Sequence, residues 1–378
     1  MTLKSVKRRN LIRGSLLASG GVAFAACSRE ANDNSAPTPV TDQPVVQWRM
    51  ATSWPKSLDI LFGGAESICQ QVSAMTNGRF TITPYAAEEI VPSFGVLDAV
   101  SDGTVECGHS ASYYYFEKNP ALAFGSTVPF GLNADQQNAW LHYGGGLEAM
   151  QGIYKDYGVI NFPAGNTGVQ MGGWFRKEIE SLQDLQGLKM RIPGLGGAVM
   201  KRLGVDVKVY SADKIVTALL NGEIDAVEWN NPYDDEIMGL SDAAPYYYYP
   251  GWWEPGATYE LQINLSQWNQ LPTKYQRILK TAAANTNIKM LAHYNASNGE
   301  ALKRLQAKGI SIRPFNPKII QAAQEKTLEI FAEFQQQDPT FRTVYQSWNQ
   351  FRQHIYEWHL ENEMNYLDFS IQAAEVQR

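Results

Sequence analysis

The sequence is poor in the residues that carry most metal, redox and nucleic-acid chemistry. It has three cysteines and five histidines in 378 residues, and its net charge is −6. No CxxC pair occurs, so neither a thioredoxin-like redox motif nor a zinc ribbon has support. An acidic chain also lacks the basic face that nucleic-acid phosphates need. These absences argue against a thioredoxin-like redox protein, a zinc-ribbon protein and a nucleic-acid-binding protein.

The sequence signatures of common enzymes are missing as well. GxSxG, HExxH and P-loop motifs do not occur, and His354 and His359 are not at a metal-ligand spacing. Gly194-Leu195-Gly196-Gly197 follows a predicted strand and opens a helix, but Val199 replaces the third glycine of a dinucleotide fingerprint. This stretch is either a tight turn that requires positive φ or an anion site built from backbone N–H groups.

The first 45 residues do not belong to the globular fold. A basic segment with paired Arg8-Arg9 precedes a short apolar stretch, which predicts an export signal over 1–27 that resembles a twin-arginine signal. Residues 28–45 are rich in polar residues and proline, as in a flexible tether. Cys27 follows Ala25-Ala26, as in a lipoprotein, but Phe24 is unusual there. Lipidation at Cys27 and ordinary cleavage both remain open.

After the signal only Cys69 and Cys107 remain. They either form one disulfide in an oxidising compartment or stay as two buried thiols. No later stretch is apolar for the roughly 20 residues that a membrane span requires. The mature chain is long enough for two lobes of roughly 100–200 residues each.

Strand and helix patterns alternate along the mature chain. Residues 45–51, 80–85 and 105–110 are predicted strands, and residues 61–75 carry apolar side chains at helical spacing. The alternation repeats after Gly165, with predicted strands at 169–175, 188–193 and 224–229, which indicates α/β units over a largely parallel sheet. From Lys274 onward the chain is mostly helical. One helical face there carries Trp348, Phe351, Ile355 and Trp358.

Charged residues mark a candidate anion site in the second half. Arg191 lies in an apolar strand before the glycine-rich turn, where its planar fork would hold a carboxylate or form a structural salt bridge. Glu228 ends a strand in a polar and aromatic cluster. It is either a ligand for a hard cation or a hydrogen-bonded carboxylate at a turn. Asp234 and Asp235 are expected on a solvated face.

Aromatic residues are concentrated in two places. Tyr113, Tyr114 and Tyr115 follow a predicted strand, so their hydroxyls would meet a ligand held by an opposite lobe. Residues 246–254 contain four tyrosines and two tryptophans. Such a run forms core, a subunit interface or the wall of a ligand cleft. Together with Arg191 and Glu228, these residues predict a cleft between two lobes.

Five segments, in this order along the chain, carry a family resemblance. They are Ala51-Thr52-Ser53-Trp54, Gly168-Val169-Gln170-Met171-Gly172-Gly173-Trp174-Phe175, Gly187-Leu188-Lys189-Met190-Arg191-Ile192, Glu228-Trp229-Asn230-Asn231-Pro232-Tyr233-Asp234-Asp235 and Tyr248-Tyr249-Pro250-Gly251-Trp252-Trp253-Glu254. From about Gln47 to the C-terminus, the chain resembles the solute-binding subunit of TRAP (tripartite ATP-independent periplasmic) transporters. The likeness is to the branch that binds 2-oxo acids and related monocarboxylates such as pyruvate or lactate.

The resemblance implies an α/β, two-lobed periplasmic binding protein, type II-like, with hinge strands and long C-terminal helices. Lobe I would cover 46–166 with 230–255 returning to it, and lobe II would cover 167–229 with 256–315. Residues 316–378 would form C-terminal helices, and related proteins can form homodimers through such a helix. The Trp348 to Trp358 stripe suits that role or packs on the protein's own lobes.

The resemblance also implies the ligands of the site. Arg191 would pair with the carboxylate of the solute, and a bridging metal ion, sodium or calcium, would offset two acidic groups that otherwise repel an anion. The metal ligands would be Gln170, Glu228, the carbonyl of Trp229, and Glu254. The ligand-binding residues would be Arg191, Gln170, Trp229, Asn230, Tyr113 and Tyr114.

The expected function is capture of a small 2-oxo or 2-hydroxy monocarboxylate outside the cytoplasm and its delivery to TRAP membrane subunits, without catalysis. Two other functions stay open from the sequence. One is a periplasmic enzyme with Glu228 or Glu254 as general base, although nothing supplies a nucleophile or an organic cofactor. The other is a lipoprotein that senses a ligand and presents its closed form to a receptor kinase.

Overall fold

A computed structural model describes residues 43–375. The predicted export signal, Cys27 and nearly all of the predicted tether lie outside that range. Across these residues, no helix combines the length and the apolar character needed to cross a membrane. The strands are β1 Val46–Thr52, β2 Phe80–Tyr85, β3 Cys107–Ser110, β4 Val159–Asn166, β5 Trp174–Phe175, β6 Lys189–Arg191, β7 Asp206–Lys208, β8 Ala226–Val227, β9 Tyr246–Tyr249, β10 Thr258–Asn264 and β11 Ser311–Pro314.

Helices surround these strands, and several begin where the sequence supplies a cap. Asn133 and Gln136, for example, exchange side-chain and backbone hydrogen bonds at the start of α4. The helices are α1 Asp59–Met75, α2 Val96–Ser101, α3 Ala123–Ser126, α4 Ala134–Tyr143, α5 Gly146–Asp156, α6 Gly194–Arg202, α7 Ala212–Leu220, α8 Pro232–Met238, α9 Leu265–Gln270, α10 Thr273–Ala307, α11 Pro317–Gln337, α12 Pro339–Glu361 and α13 Glu363–Glu375.

The strands form two mixed sheets rather than largely parallel ones. The first sheet has the order β2-β1-β3-β10-β4, and the second has the order β11-β9-β5-β8-β6-β7. β10 runs antiparallel to β3 and β4, and β5 runs antiparallel to β8 and β9. These antiparallel strands flank the connections that pass from one sheet to the other, so they enter each sheet from the opposite direction.

Two neighbouring segments cross between the sheets. Residues 167–173 lead from β4 to β5, and residues 250–257 return from β9 to β10. The backbone N–H of Thr167 donates to the carbonyl of Ala257 at 3.1 Å, and that of Gly251 donates to the carbonyl of Gln170 at 2.9 Å. The predicted strand over 169–175 is therefore confined to Trp174–Phe175, because the residues before it bridge the two sheets.

The strand assignments correct the predicted course of the chain between lobes. β9 lies within 230–255, which was expected in lobe I, but it pairs with β5 and β11 in the second sheet. β10 lies within 256–315, which was expected in lobe II, but it pairs with β3 and β4 in the first sheet. The crossing occurs at 250–257, between these strands. The division into lobes otherwise stays a prediction.

Helix α10 braces both sheets. It has 35 residues, which corresponds to about 50 Å of helix. It packs on α1 and β4 beside the first sheet and on α8 beside the second. Its Tyr294 is fully buried and lies close to the residues of the candidate site described below.

Most of the aromatic stripe near the C-terminus packs within the chain. Trp348 is buried, with its ring 5.3 Å from that of Phe124, and Phe351 and Ile355 contact the same core. Trp358 is 61% exposed. The stripe is thus mainly intramolecular, because α12 packs against α3, α4 and α5, the helices between β3 and β4. Cys69 and Cys107 are buried free thiols.

Candidate functional site

Two neighbouring parallel strands bring Arg191 and Glu228 together. In the parallel pairing of β6 with β8, Arg191 lies opposite Val227, the residue before Glu228. Arg191 and Glu228 therefore both lie at the carboxyl edge of the second sheet. Arg191 Nη1 donates to the Glu228 side-chain Oε2 at 3.0 Å and to the Glu228 carbonyl at 2.7 Å. Both residues are 1% exposed. The guanidinium group also lies over the Trp229 ring, 5.1 Å from its centroid.

The crossing segments bring Gln170 and Glu254 to the same place. Gln170 Nε2 donates to Glu254 Oε2 at 2.9 Å, and the Gln170 backbone N–H donates to the Glu254 carbonyl at 3.3 Å. Gly173 has φ +82°, and a Cβ there would lie 2.4 Å from the Val227 carbonyl oxygen. Glycine at position 173 therefore lets the first crossing segment pass directly against β8.

The two glutamates share one electrostatic environment. Burial raises the pKa of Glu228 to about 8, although the charge of Arg191 acts in the opposite direction. Burial also raises the pKa of Glu254 well above its usual value, and the negative charge of Glu228 adds to that effect. Two carboxyl groups with a single buried cation, Arg191, leave an excess of negative charge when both ionise.

Unpartnered oxygens indicate what would offset this charge. Glu228 Oε1 and Gln170 Oε1 are buried and accept no hydrogen bond, which is uncommon for buried polar atoms. Carboxylate, amide and carbonyl oxygens are the ligands that hard cations take. Within residues 43–375, no group of three or more His, Cys, Asp or Glu side chains is placed to hold a metal. The unpartnered oxygens of Glu228 and Gln170, a carboxylate and an amide oxygen, are of the types that a hard cation takes.

Tyr113 and Tyr114 approach this cluster from the first sheet. They lie in a 3₁₀ turn, Ser112–Tyr115, that follows β3. A Cβ on Gly194 would lie 3.4 Å from the Tyr113 ring, so the turn packs against the start of α6, just after Arg191. Burial raises the pKa of Tyr114 to about 12, while the nearby Arg191 charge lowers it. Both tyrosines thus lie near the predicted site.

Asn230 is oriented by a buried acid. Its Nδ2 donates to Asp234 Oδ2 at 2.7 Å and to the Tyr294 hydroxyl at 3.1 Å, and Tyr294 donates to the same Asp234 oxygen at 2.7 Å. Asn230 Oδ1 is buried without a partner. The amide nitrogen is therefore directed at Asp234, and only the amide oxygen remains available for another group.

The expectation that Asp234 and Asp235 lie on a solvated face is wrong. They are 0% and 1% exposed. Asp235 accepts hydrogen bonds from Trp174 Nε1 and the Tyr247 hydroxyl, and burial raises the pKa of each aspartate to about 7. The cause is that α8 begins at Pro232 and turns its first turn inward. No periodic pattern in the sequence marked this short helix or the face that it buries.

The glycine-rich stretch after Arg191 behaves as a tight turn. Gly194 has φ +60° and begins α6 directly after β6. A Cβ on Gly197 would lie 2.5 Å from the Ile192 carbonyl oxygen. Backbone conformation and close packing therefore account for these glycines, as the first of the two interpretations requires.

Thr167 fixes the first crossing segment, although no sequence pattern predicted a role for it. The Asn231 Nδ2 donates to the Thr167 carbonyl at 2.7 Å, and the Thr167 hydroxyl accepts from the backbone N–H of Ala257 at 3.2 Å. Thr167 thus ties the first crossing segment to the second and to the segment after Trp229. A lone threonine outside any periodic pattern gave no signal of this role.

The model of the bacterial extracellular solute-binding proteins, family 7, matches residues 50–338 of the chain. The chain belongs to this family. A curated relative from Nostoc sp., the monocarboxylate 2-oxoacid-binding periplasmic protein, is 54% identical over 365 residues, which is 97% of this chain and 99% of the relative. The predicted family is thereby confirmed, and it is a family of extracytoplasmic receptors rather than enzymes.

Two solved structures show the same fold. A TRAP transporter solute-binding protein from Bordetella bronchiseptica is 43% identical to this chain and has a TM-score of 0.87. The match covers 89% of this chain and 100% of the Bordetella chain. That protein is described as a dimer with calcium and picolinate in one active site. A TRAP periplasmic solute-binding protein from Pseudoalteromonas atlantica, with bound sodium and pyruvate, is 38% identical, covers 85% of this chain and 98% of its own, and has a TM-score of 0.83. The chain is a TRAP solute-binding protein.

Proposed function

We propose that this solute-binding protein captures a small 2-oxo or 2-hydroxy monocarboxylate, of the size of pyruvate, for TRAP membrane subunits. One observation carries the proposal. A buried arginine lies beside two buried glutamates, and unpartnered oxygens of Glu228 and Gln170 lie in the same cluster. The 2-oxoacid-binding relative and the pyruvate- and picolinate-bound structures support this ligand class.

The residues of the chain would divide the work of binding. Arg191 would hold the solute carboxylate, because its guanidinium group presents several donors in one plane that match the two carboxylate oxygens. Gln170, Glu228, Glu254 and the Trp229 carbonyl would hold a sodium or calcium ion. That ion would supply positive charge beside the carboxylate and the neighbouring 2-oxo or 2-hydroxy oxygen of the solute. Tyr113 and Tyr114 would close the site from the first sheet, and Asn230 would present its free amide oxygen.

The test is the melting temperature of the mature protein with a panel of carboxylates, before and after treatment with a chelator. A ligand that binds only the folded state stabilises it by about 2.7 kcal/mol at a hundredfold excess over Kd, so pyruvate or lactate should raise the Tm by several degrees. For a calcium ion, the rise should shrink after chelation and return with added calcium. For a sodium ion, which chelators do not remove, the rise should shrink in a sodium-free potassium buffer and return with added sodium. A response confined to succinate, glutamate or sialic acid would overturn the proposed ligand class.

We also propose that residues 1–27 direct export. The basic segment with Arg8-Arg9 and the following apolar stretch support this assignment, and it agrees with the extracytoplasmic location of the family. Lipidation of Cys27 remains the alternative to ordinary cleavage at this position.

We further propose that a second copy of the chain covers the apolar surface of the last two helices. Six large apolar side chains on these helices are each more than half exposed: Trp358, Leu360, Met364, Tyr366, Leu367 and Phe369. So much exposed apolar surface in one place is unusual for a monomeric protein. The Bordetella protein, described as a dimer, supports a second copy as the occupant. This surface replaces most of the predicted stripe as the pairing element.

Light scattering of the double variant Leu367→Asp, Phe369→Asp tests the pairing. The unmodified protein should have the mass of a dimer and the variant that of a monomer, because two buried carboxylates at an interface are costly. Pyruvate affinity should not change, since neither residue lies in the candidate site. A monomeric unmodified protein, or a variant that still dimerises, would contradict the pairing surface.

A further inference from the structure

The first sheet contributes an aromatic wall to the site, which we define as Trp54, Tyr114 and Tyr259. The Trp54 ring centroid lies 4.6 Å from that of Tyr259 and 6.1 Å from that of Tyr114. Tyr259 belongs to β10 and is buried. No sequence pattern predicted a role for Tyr259.

Trp54 is held in place by a buried histidine. Trp54 Nε1 donates to His109 Nδ1 at 2.8 Å, and His109 Nε2 lies 3.2 Å from the Ala164 carbonyl oxygen. Burial lowers the pKa of His109 to about 4, so the ring is neutral near pH 7 and its Nδ1 can accept this bond. The wall is thus anchored to the centre of the first sheet rather than to a surface loop.

A bulge at Ala164 of β4 lies opposite Tyr259. The register of β10 against β4 shifts between Tyr259, which pairs with Gly165, and Glu260, which pairs with Pro163. Such bulges re-aim a side chain and are frequent beside binding sites. A Cβ on Gly165 would lie 3.3 Å from the Tyr259 ring and 2.6 Å from Met290 Sδ. Glycine at position 165 therefore leaves room for both the Tyr259 ring and the Met290 side chain.

Tyr259 lies among the charged groups of the site. It follows the crossing segment that carries Glu254 by only a few residues, and the wall joins it to Tyr114. A tyrosine hydroxyl is an ordinary hydrogen-bond donor near neutral pH.

We propose that Tyr259 determines specificity in this site: its hydroxyl donates a hydrogen bond to the bound monocarboxylate, and its ring, braced by Trp54, limits the length of the solute. The inference rests on the proposed function and adds a contact from the first sheet to the ligands on the crossing segments and the second sheet. Such a contact forms only when both sheets surround the solute.

Calorimetry of Tyr259→Phe with pyruvate tests the hydrogen bond. The Kd should rise about tenfold, the usual loss when a hydrogen bond to a charged group is removed, while the Tm without solute stays unchanged. Tyr275→Phe is the matched control: Tyr275 is also buried, and its hydroxyl donates to the Pro44 carbonyl at 2.9 Å. This control should bind pyruvate as the unmodified protein does.

Selectivity tests the role of the ring independently. In Tyr259→Ala the ratio of the Kd values for 2-oxobutyrate and pyruvate should fall at least threefold, because the shortened side chain leaves room for a longer solute. Unchanged pyruvate affinity in Tyr259→Phe, together with an unchanged ratio in Tyr259→Ala, would overturn the inference and leave the proposed function intact. If the unmodified protein binds no monocarboxylate, the proposed function itself fails, and the inference fails with it.

Discussion

Replacing Arg191 with lysine should weaken pyruvate binding about 100-fold while the protein remains folded. Lysine keeps a positive charge but loses the planar fork, and with it the bonds that Nη1 and Nε make to Glu228 and to the Tyr210 carbonyl. A buried ammonium group with fewer partners also loses its proton readily. Loss of a buried, hydrogen-bonded charge pair costs about 3 kcal/mol, which corresponds to this change in Kd. Isothermal calorimetry measures it directly.

An exposed arginine provides the matched control for this substitution. Arg304 pairs with Glu236, with its Nη2 2.7 Å from a carboxylate oxygen, and lies on α10 at the surface. Arg304→Lys should leave the Kd for pyruvate within about twofold, because surface ion pairs contribute little. A normal Kd in Arg191→Lys would show that the solute carboxylate does not depend on the guanidinium group. The carboxylate partner would then have to be sought among Tyr113, Tyr114 and Asn230.

Local patterns in the sequence predict the parts of the site that lie at strand ends. Arg191 was identifiable as a candidate because a charged residue interrupts an apolar strand before a glycine turn. Glu228 was identifiable because it ends a predicted strand in a polar and aromatic cluster. β6 and β8 then bring the two side chains together by parallel pairing. Regular structure carries these residues, and regular structure has a period that sequence analysis detects.

Gln170 and Glu254 were predicted only through the family resemblance. They lie 84 positions apart in segments that belong to neither a helix nor a strand, so no periodicity marks them. The same segments explain the misassigned strands: β9 and β10 flank a crossing that the sequence does not announce. Tyr259 was not predicted as a site residue for a related reason. Its position is marked by a shift in the register of β10 against β4, and a sequence motif does not reveal such a shift.

The second large effect should appear in Glu254→Gln, which should weaken calcium binding roughly 100-fold or more in the absence of any solute. The substitution preserves the shape of the side chain but removes one of the two carboxylates, and ligand charge strongly sets the affinity of oxygen sites for calcium. Glu254 also accepts the bond that orients Gln170, and a neutral amide oxygen would accept that bond more weakly than a carboxylate. Calcium titrations followed by calorimetry, without pyruvate, give the readout.

Glu260→Gln is the matched control for Glu254→Gln. Glu260 is likewise a buried glutamate, and burial raises its pKa to about 7. Its hydrogen-bond partners, however, are Tyr154 on α5 and Asn161 on β4, which are not among the proposed cation ligands. Its replacement should leave calcium affinity unchanged, whatever it does to stability. Equal calcium affinity in Glu254→Gln and the unmodified protein would remove Glu254 from the cation site.

The positions of the four proposed cation ligands also predict that the affinities for cation and solute are coupled. All four lie on the crossing segments or at the edge of the second sheet, so calcium should bind before the first sheet closes over the solute. Pyruvate should then bind more tightly with calcium than without it, because calcium offsets the charges of Glu228 and Glu254. Linkage requires pyruvate to tighten calcium binding by the same factor. Measuring both factors in the unmodified protein, and their collapse towards one in Glu254→Gln, would locate the coupling in this carboxylate.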